Sequence, residues 1–152
     1  MTCSRAALTS ALLIVLSTGV AALAQQPAAA GRVKVVSGRA QIIRQGQTLG
    51  AKLGDMVFEA DTLRTGADGR LGVTLRDNTR ISLGPASEIE VRRFAYSPAE
   101  GALAVVLRVV RGVAGYVSGR IAALSPEAVR LETPMAIVGV RGTRLAIRVT
   151  PP

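Results

Sequence analysis

Leu71-Gly72-Val73-Thr74-Leu75-Arg76-Asp77-Asn78-Thr79-Arg80-Ile81-Ser82-Leu83-Gly84-Pro85-Ala86-Ser87-Glu88-Ile89-Glu90-Val91 alternates apolar with polar or small residues, and the pattern breaks only at Asp77-Asn78 and at Gly84-Pro85-Ala86-Ser87. Successive side chains of a strand point to opposite faces, so Leu71, Val73 and Leu75, then Ile81 and Leu83, then Ile89 and Val91 each line one face. The breaks are turn chemistry: Asp and Asn bond their own backbone, and Gly and Pro supply turn dihedrals. Three short strands spaced about eight to ten residues apart predict an all-β fold. An antiparallel meander and successive rungs of a coil bury the same residues, so the spacing alone fits either arrangement.

Downstream, Phe94 to Gly101 interrupts the alternation and reads as a protruding loop. Leu103 to Val110 is apolar on nearly both faces, which predicts the longest and most central strand, ended by Arg111-Gly112. Val113 to Ile121 reads as a further strand bent by Gly115 and Gly119, and Ser125-Pro126 separates it from Val129-Arg130-Leu131. At the end of the chain, Pro134 cannot donate to a ladder and belongs at a strand edge or first position. Met135 to Val140 has strand length and is almost wholly apolar, which predicts a core segment that the rest of the chain receives. Gly142 permits a turn or bulge between Arg141 and Thr143. After it, Thr143, Leu145, Ile147 and Val149 face one way, and Arg144, Ala146 and Arg148 the other.

Upstream, Thr65-Gly66-Ala67-Asp68-Gly69 is a dense turn signal, with Gly66 and Gly69 as its structural glycines. Thr48 to Phe58 reads as a loop feeding a short strand. Arg32 to Val35 and Arg39 to Arg44 read as two strands joined by a tight turn at Gly38. Residues 25–31, with Pro27, form a flexible lead-in. Residues 1–24 have the layout of a secretory signal peptide: Arg5, an uncharged run from Ala6, and Ala22-Leu23-Ala24 before Gln25. Cleavage after Ala24 leaves no membrane span. Leu8 to Leu16 is the one window with a helical period, and Cys3 precedes the apolar run, so no lipid anchor is implied.

The chain beyond residue 24 is long enough for one domain, over 32–150. The sequence is 49% hydrophobic but only 3% aromatic, so Val, Leu, Ile and Ala fill the core, and β-branched filling favours strands. There is no histidine and a single cysteine, within the expected signal segment, which removes thiol and Ser-His nucleophiles and makes transition-metal sites improbable. Asp55, Asp61, Asp68 and Asp77 stand in turns, where aspartate bonds backbone. No catalytic, cofactor-binding or metal residue is assigned, and no enzyme is expected. The formal charge of +9 invites a polyanion. Arg70, Arg80, Arg92, Arg108, Arg130, Arg144 and Arg148 alternate with apolar residues and have little aromatic interleaving, which fits solvated sheet faces better than nucleic acid.

Three stretches resemble the FecR domain, the periplasmic ferric-citrate regulator family. They are Leu53-Gly54-Asp55 through Thr65-Gly66, Asp68-Gly69 through Ser87-Glu88-Ile89, and Thr133-Pro134-Met135-Ala136-Ile137-Val138-Gly139-Val140-Arg141-Gly142-Thr143. Asn78-Thr79 stands where the family has Gly-Ser, and Asn tolerates the left-handed backbone that Gly supplies. The resemblance implies a twisted β-solenoid-like roll or sandwich of short strands after an N-terminal signal-peptide helix. It also implies a periplasmic or secreted, stand-alone, non-catalytic signalling module. Its partner would be an envelope protein, met at Arg141, Thr143 and Arg144, with Gly142 and Pro134 as structural turns. The alternative partner is an anionic cell-wall or surface polysaccharide held by an arginine-rich face.

Overall fold

The computed structural model describes residues 27–142 and 144–150; the expected signal segment lies outside them. The chain takes hold at Ala30, which is buried and donates its N–H to the Val57 carbonyl at 2.7 Å. The expected lead-in therefore ends before Gly31, which opens β1 (Gly31–Ser37). There follow β2 (Ala40–Arg44), β3 (Gln47–Gly50), β4 (Met56–Val57), β5 (Thr62–Thr65), β6 (Arg70–Leu75) and β7 (Arg80–Leu83). After them come β8 (Glu88–Ser97), β9 (Ala102–Val117), the short helix α1 (Arg120–Leu124), β10 (Val129–Glu132), β11 (Ile137–Gly139) and β12 (Arg144–Val149). The strands form one curled, open half-barrel sheet, in the order β3-β2-β5-β8-β9-β7-β6-β1-β4.

The organising element is β9 and not the C-terminal stretch. Its first half pairs with β8 on one side and, in parallel, with β10 on the other; its second half pairs with β7 and β12. Central position and length were legible in the apolar run from Leu103, but the strand does not stop at Gly112. It turns there at φ +83 and continues to Val117, after which Ile121 is helical and not part of a bent strand.

Among the regular strands, β6 and β7 form an antiparallel hairpin, with Leu71 opposite Leu83 and Val73 opposite Ile81. Leu71, Val73, Leu75, Ile81, Leu83, Ile89 and Val91 are all buried, as their alternation requires. By contrast, β1 and β2 do not pair with each other. β1 pairs with β4 and β6, β2 with β3 and β5, so Gly38 carries the chain from one half of the sheet to the other.

Phe94 to Ser97 belongs to β8 rather than to a loop, with Tyr96 opposite Leu103 and Ser97 opposite Ala102. A bulge between Val91 and Arg93 reverses the parity of the buried face, so Phe94 is inward where strict alternation would put Arg93. The Met135–Val140 segment departs most from expectation. Only Val140 is core; Met135 is 96% exposed and Ile137 71%. The interior is already closed by β6, β7, β9 and β10, and β11 joins it only through β10, at the rim of the sheet.

Candidate interaction surface

The rim begins where β10 leaves β9. Val129 and Leu131 are buried, and Thr133 then closes a turn: its N–H donates to the Ala136 carbonyl at 2.8 Å, and its hydroxyl oxygen accepts the Ala136 N–H at 3.0 Å. Pro134 occupies this turn, exposed, at the position where its fixed φ is favourable. Beyond Val140, Arg141 and Gly142 are exposed, and Arg144 opens β12 opposite Val117. Gly142 has φ +50, but a Cβ there would meet no atom within 4 Å, so backbone conformation rather than crowding accounts for a glycine. Thr143 lies outside the described residues.

Both β11 and β12 are paired on one side only among the described residues. Along β12, Leu145, Ile147 and Val149 are half-buried while Arg144, Ala146 and Arg148 are exposed, so the expected alternation is present at the margin of the core. Near Arg141, the Ser125 hydroxyl and the Glu127 backbone amide, and more weakly Arg141 itself, hold the Glu127 carboxyl below its usual range.

Gly66 and Gly69 lie elsewhere, in the turn between β5 and β6. The Gly66 N–H donates to the Arg39 carbonyl at 2.8 Å and the Gly69 N–H to the Gly66 carbonyl at 3.0 Å. A Cβ on Gly69 would stand 2.0 Å from the Arg39 oxygen, so close backbone approach excludes a side chain there. These two glycines shape a crossing between the halves of the sheet, while Pro134, Arg141, Gly142 and Arg144 follow one another along its rim.

The aspartates are engaged in structure. Asp77 is buried, accepts the Thr79 N–H at 3.0 Å and the Thr79 hydroxyl at 2.7 Å, and its carbonyl receives the Arg120 N–H at 2.7 Å, docking α1. Asp61 accepts the Phe58 N–H at 2.8 Å, as a turn aspartate does, but it also takes a two-pronged contact from Arg44 at 2.8 and 2.7 Å. That hydrogen-bonded pairing with Asp61 raises the Arg44 pKa above its ordinary value. Arg44 stacks 4.4 Å over the Phe58 ring beside a cavity of about 470 Å³ that Met56 and Glu59 also line. No spacing in the sequence joins Arg44 to Asp61, and the partnership appears only once β2 and β5 lie side by side.

The family described as FecR protein matches residues 61–151, from the start of β5 to past the end of β12. The chain belongs to the FecR family. No curated protein and no solved structure matches it. The family is a signalling and regulatory one. In this FecR domain Thr65 and Ser87 tie β5 to the β7–β8 turn by hydrogen bonds, and Asp77 and Thr79 close the β6–β7 turn. No helix among the described residues is long and apolar enough to cross a membrane.

Proposed function

We propose that this FecR-domain protein is an exported, non-catalytic signalling module that contacts an envelope protein through Arg141, Thr143 and Arg144, beside the rim formed by β11. The observation that supports the reading is the exposure of Met135 and Ile137 beside two strand edges. Large apolar side chains in open solvent next to unpaired backbone groups are an association surface, and they are normally blunted where no partner exists. Arginine beside such a patch is the charged residue most enriched where interfaces concentrate energy. Export is supported by the signal-peptide layout of residues 1–24.

Site-directed photo-cross-linking in the source cell tests the contact. Probes replacing Ile137 and Arg144 are expected to give one discrete adduct in the envelope fraction, and a probe replacing the exposed Leu124 on α1 none. Equal labelling from all three positions overturns the rim as the contact surface. Amino-terminal sequencing of the purified product tests export, with Gln25 the expected first residue.

A further inference from the structure

The arginines named in the sequence divide between two faces of the sheet. On one, Arg32 stands opposite Thr74, Thr74 opposite Arg80, Arg80 opposite Val117, and Val117 opposite Arg144. This is a single row across five neighbouring strands, with an arginine on β1, β7 and β12. Adjacent strands lie about 4.8 Å apart, so these guanidinium stems recur roughly every 10 Å. Two residues along β6, β7, β9 and β12, and three along β1 past its bulge, the next row is Val35, Gly72, Ser82, Gly115 and Ala146, nearly all small. Beyond it, Arg70 and Arg148 project from β6 and β12 on the same side. All five arginines are exposed, and among the described residues none forms an ion pair.

No acidic residue occurs in β1, β6, β7, β12 or the second half of β9. Asp68 sits in the turn before β6, with its carboxylate 3.5 Å from the Arg39 N–H, and Asp77 is buried beneath the β6–β7 turn. The outer face of the other half is different. There Glu88 binds both Arg64 and Arg111, at 3.0 and 3.2 Å, Glu90 binds Arg92 at 3.0 Å, and Glu132 stands opposite Arg108. Five arginines thus lie together on one outer face with no acidic residue among them.

We infer that this face is a docking site for a linear carboxylated polysaccharide lying across the strands, over the small-residue row and between the two arginine rows. Arginine forks match carboxylates, and the low middle row brings an extended chain between the flanking cations. Charge complementarity chooses the occupant. No Phe, Tyr or Trp projects from the face, so neither stacked bases nor a neutral sugar stacked on a ring finds a partner there. Val35 is the one large exposed apolar side chain of the row, too little to enter a membrane. The site is independent of the protein contact proposed above, although Arg144 lies at the corner of both.

Binding of the full chain to fluorescent polygalacturonate, with neutral dextran as control, tests the inference. Two triple variants each remove three exposed charges: Arg70→Gln/Arg80→Gln/Arg148→Gln on this face, and Arg92→Gln/Arg93→Gln/Arg130→Gln elsewhere. Polymer binding is expected at low salt and is lost toward 1 M salt, where the screening length falls to about 3 Å. The first triple should weaken it about tenfold, from three exposed charge contacts, and the second less than about threefold. Unchanged thermal melts exclude misfolding as the cause. No binding to polygalacturonate at low salt overturns the proposal, as does equal weakening by the two triples. Phosphatidylglycerol vesicles or a single-stranded DNA oligonucleotide bound more tightly than polygalacturonate, and lost in the first triple, would give the face to a membrane or a nucleic acid and overturn the polysaccharide.

Discussion

Gly112 lies so close against Ser87 that a Cβ on the glycine would stand 2.3 Å from the Ser87 hydroxyl oxygen and 2.5 Å from its Cα. This is where β9 passes from one half of the sheet to the other. The Ser87 hydroxyl accepts the Val113 N–H at 2.8 Å and donates to the Pro85 carbonyl at 3.0 Å. The Ser87 N–H in turn donates to the Thr65 hydroxyl oxygen at 3.0 Å, and that hydroxyl donates to the Gly84 carbonyl at 2.6 Å. Thr65, Ser87 and Gly112 therefore form one knot joining β5, the β7–β8 turn and β9.

Gly112→Ala and Gly142→Ala separate crowding from conformation. Both glycines have positive φ, +83 and +50, but only Gly112 has backbone within a Cβ radius. Gly142→Ala is expected to lower unfolding free energy by about 1 kcal/mol, the steric penalty of alanine in the left-handed region. Gly112→Ala adds a clash that β9 cannot relieve without parting from Ser87, for a loss of about 3 kcal/mol or more. Urea titrations of the two variants check this, and similar midpoints would refute the distinction.

Asp61→Asn is expected to cost about 2–4 kcal/mol, because it removes the counter-charge of Arg44 while leaving the guanidinium between Phe58 and the sheet. The lower part of that range is favoured by the 33% exposure of the Arg44 side chain, which water partly compensates. The double variant Arg44→Met/Asp61→Asn should recover much of the loss, since neither charge then remains unpaired. A double variant no more stable than Asp61→Asn alone, in chemical denaturation, would show that packing rather than pairing is at stake.

The sequence and the structure agree where one rule acted alone. From Leu71 to Val91 each strand buries alternate residues and each turn carries its own Asp, Asn, Gly or Pro, so the fold class and much of the core were legible there. Legibility failed where a local device altered the period or where topology decided burial. The bulge after Val91 hid the second half of β8, and the positive φ at Gly112 bent a strand that an Arg-Gly pair suggested was finished. Met135 and Ile137 are as apolar as core residues, and only their place at the rim exposes them. For the candidate surfaces, the sequence showed arginines at strand spacing but not which acidic residues face them. That depends on register between strands far apart in the chain, as with Arg80 and Arg144 across Val117.

Tyr116 predicts an alkaline limit to stability. Its ring is core and its buried hydroxyl makes no hydrogen bond of good geometry among the described residues, although the nearby Thr79 and Ser118 side chains offset part of the effect of burial. Burial is the main reason its pKa is raised above the ordinary 10.0. The folded state therefore holds this proton more tightly than the unfolded chain. That contribution is fully present below pH 10 and is lost as pH rises through the raised value. Tyr116→Phe should be neutral or stabilising by up to about 1 kcal/mol at neutral pH, because no bond is broken and an unpaired buried hydroxyl is removed. It should also flatten the decline in melting temperature above pH 10. A variant that melts lower than the parent at pH 7 would show that the hydroxyl is bonded.

Met135→Thr/Ile137→Thr tests whether the rim is a surface for association or a concealed part of the core. At 96% and 71% exposure these side chains contribute little to the interior, so the thermal midpoint should stay within about 0.5 kcal/mol equivalent of the parent. β11 keeps its three paired positions with β10, since threonine, like the isoleucine it replaces at Ile137, is β-branched and suits a strand. What should change is association: the exposed apolar pair beside an open edge favours intermolecular strand pairing, and its removal should lower light scattering of concentrated protein. Cross-linking from Arg144 to the envelope partner should weaken in the same variant. A large drop in melting temperature would instead place Met135 and Ile137 inside the packed fold, and the rim would then have no apolar anchor to offer a partner.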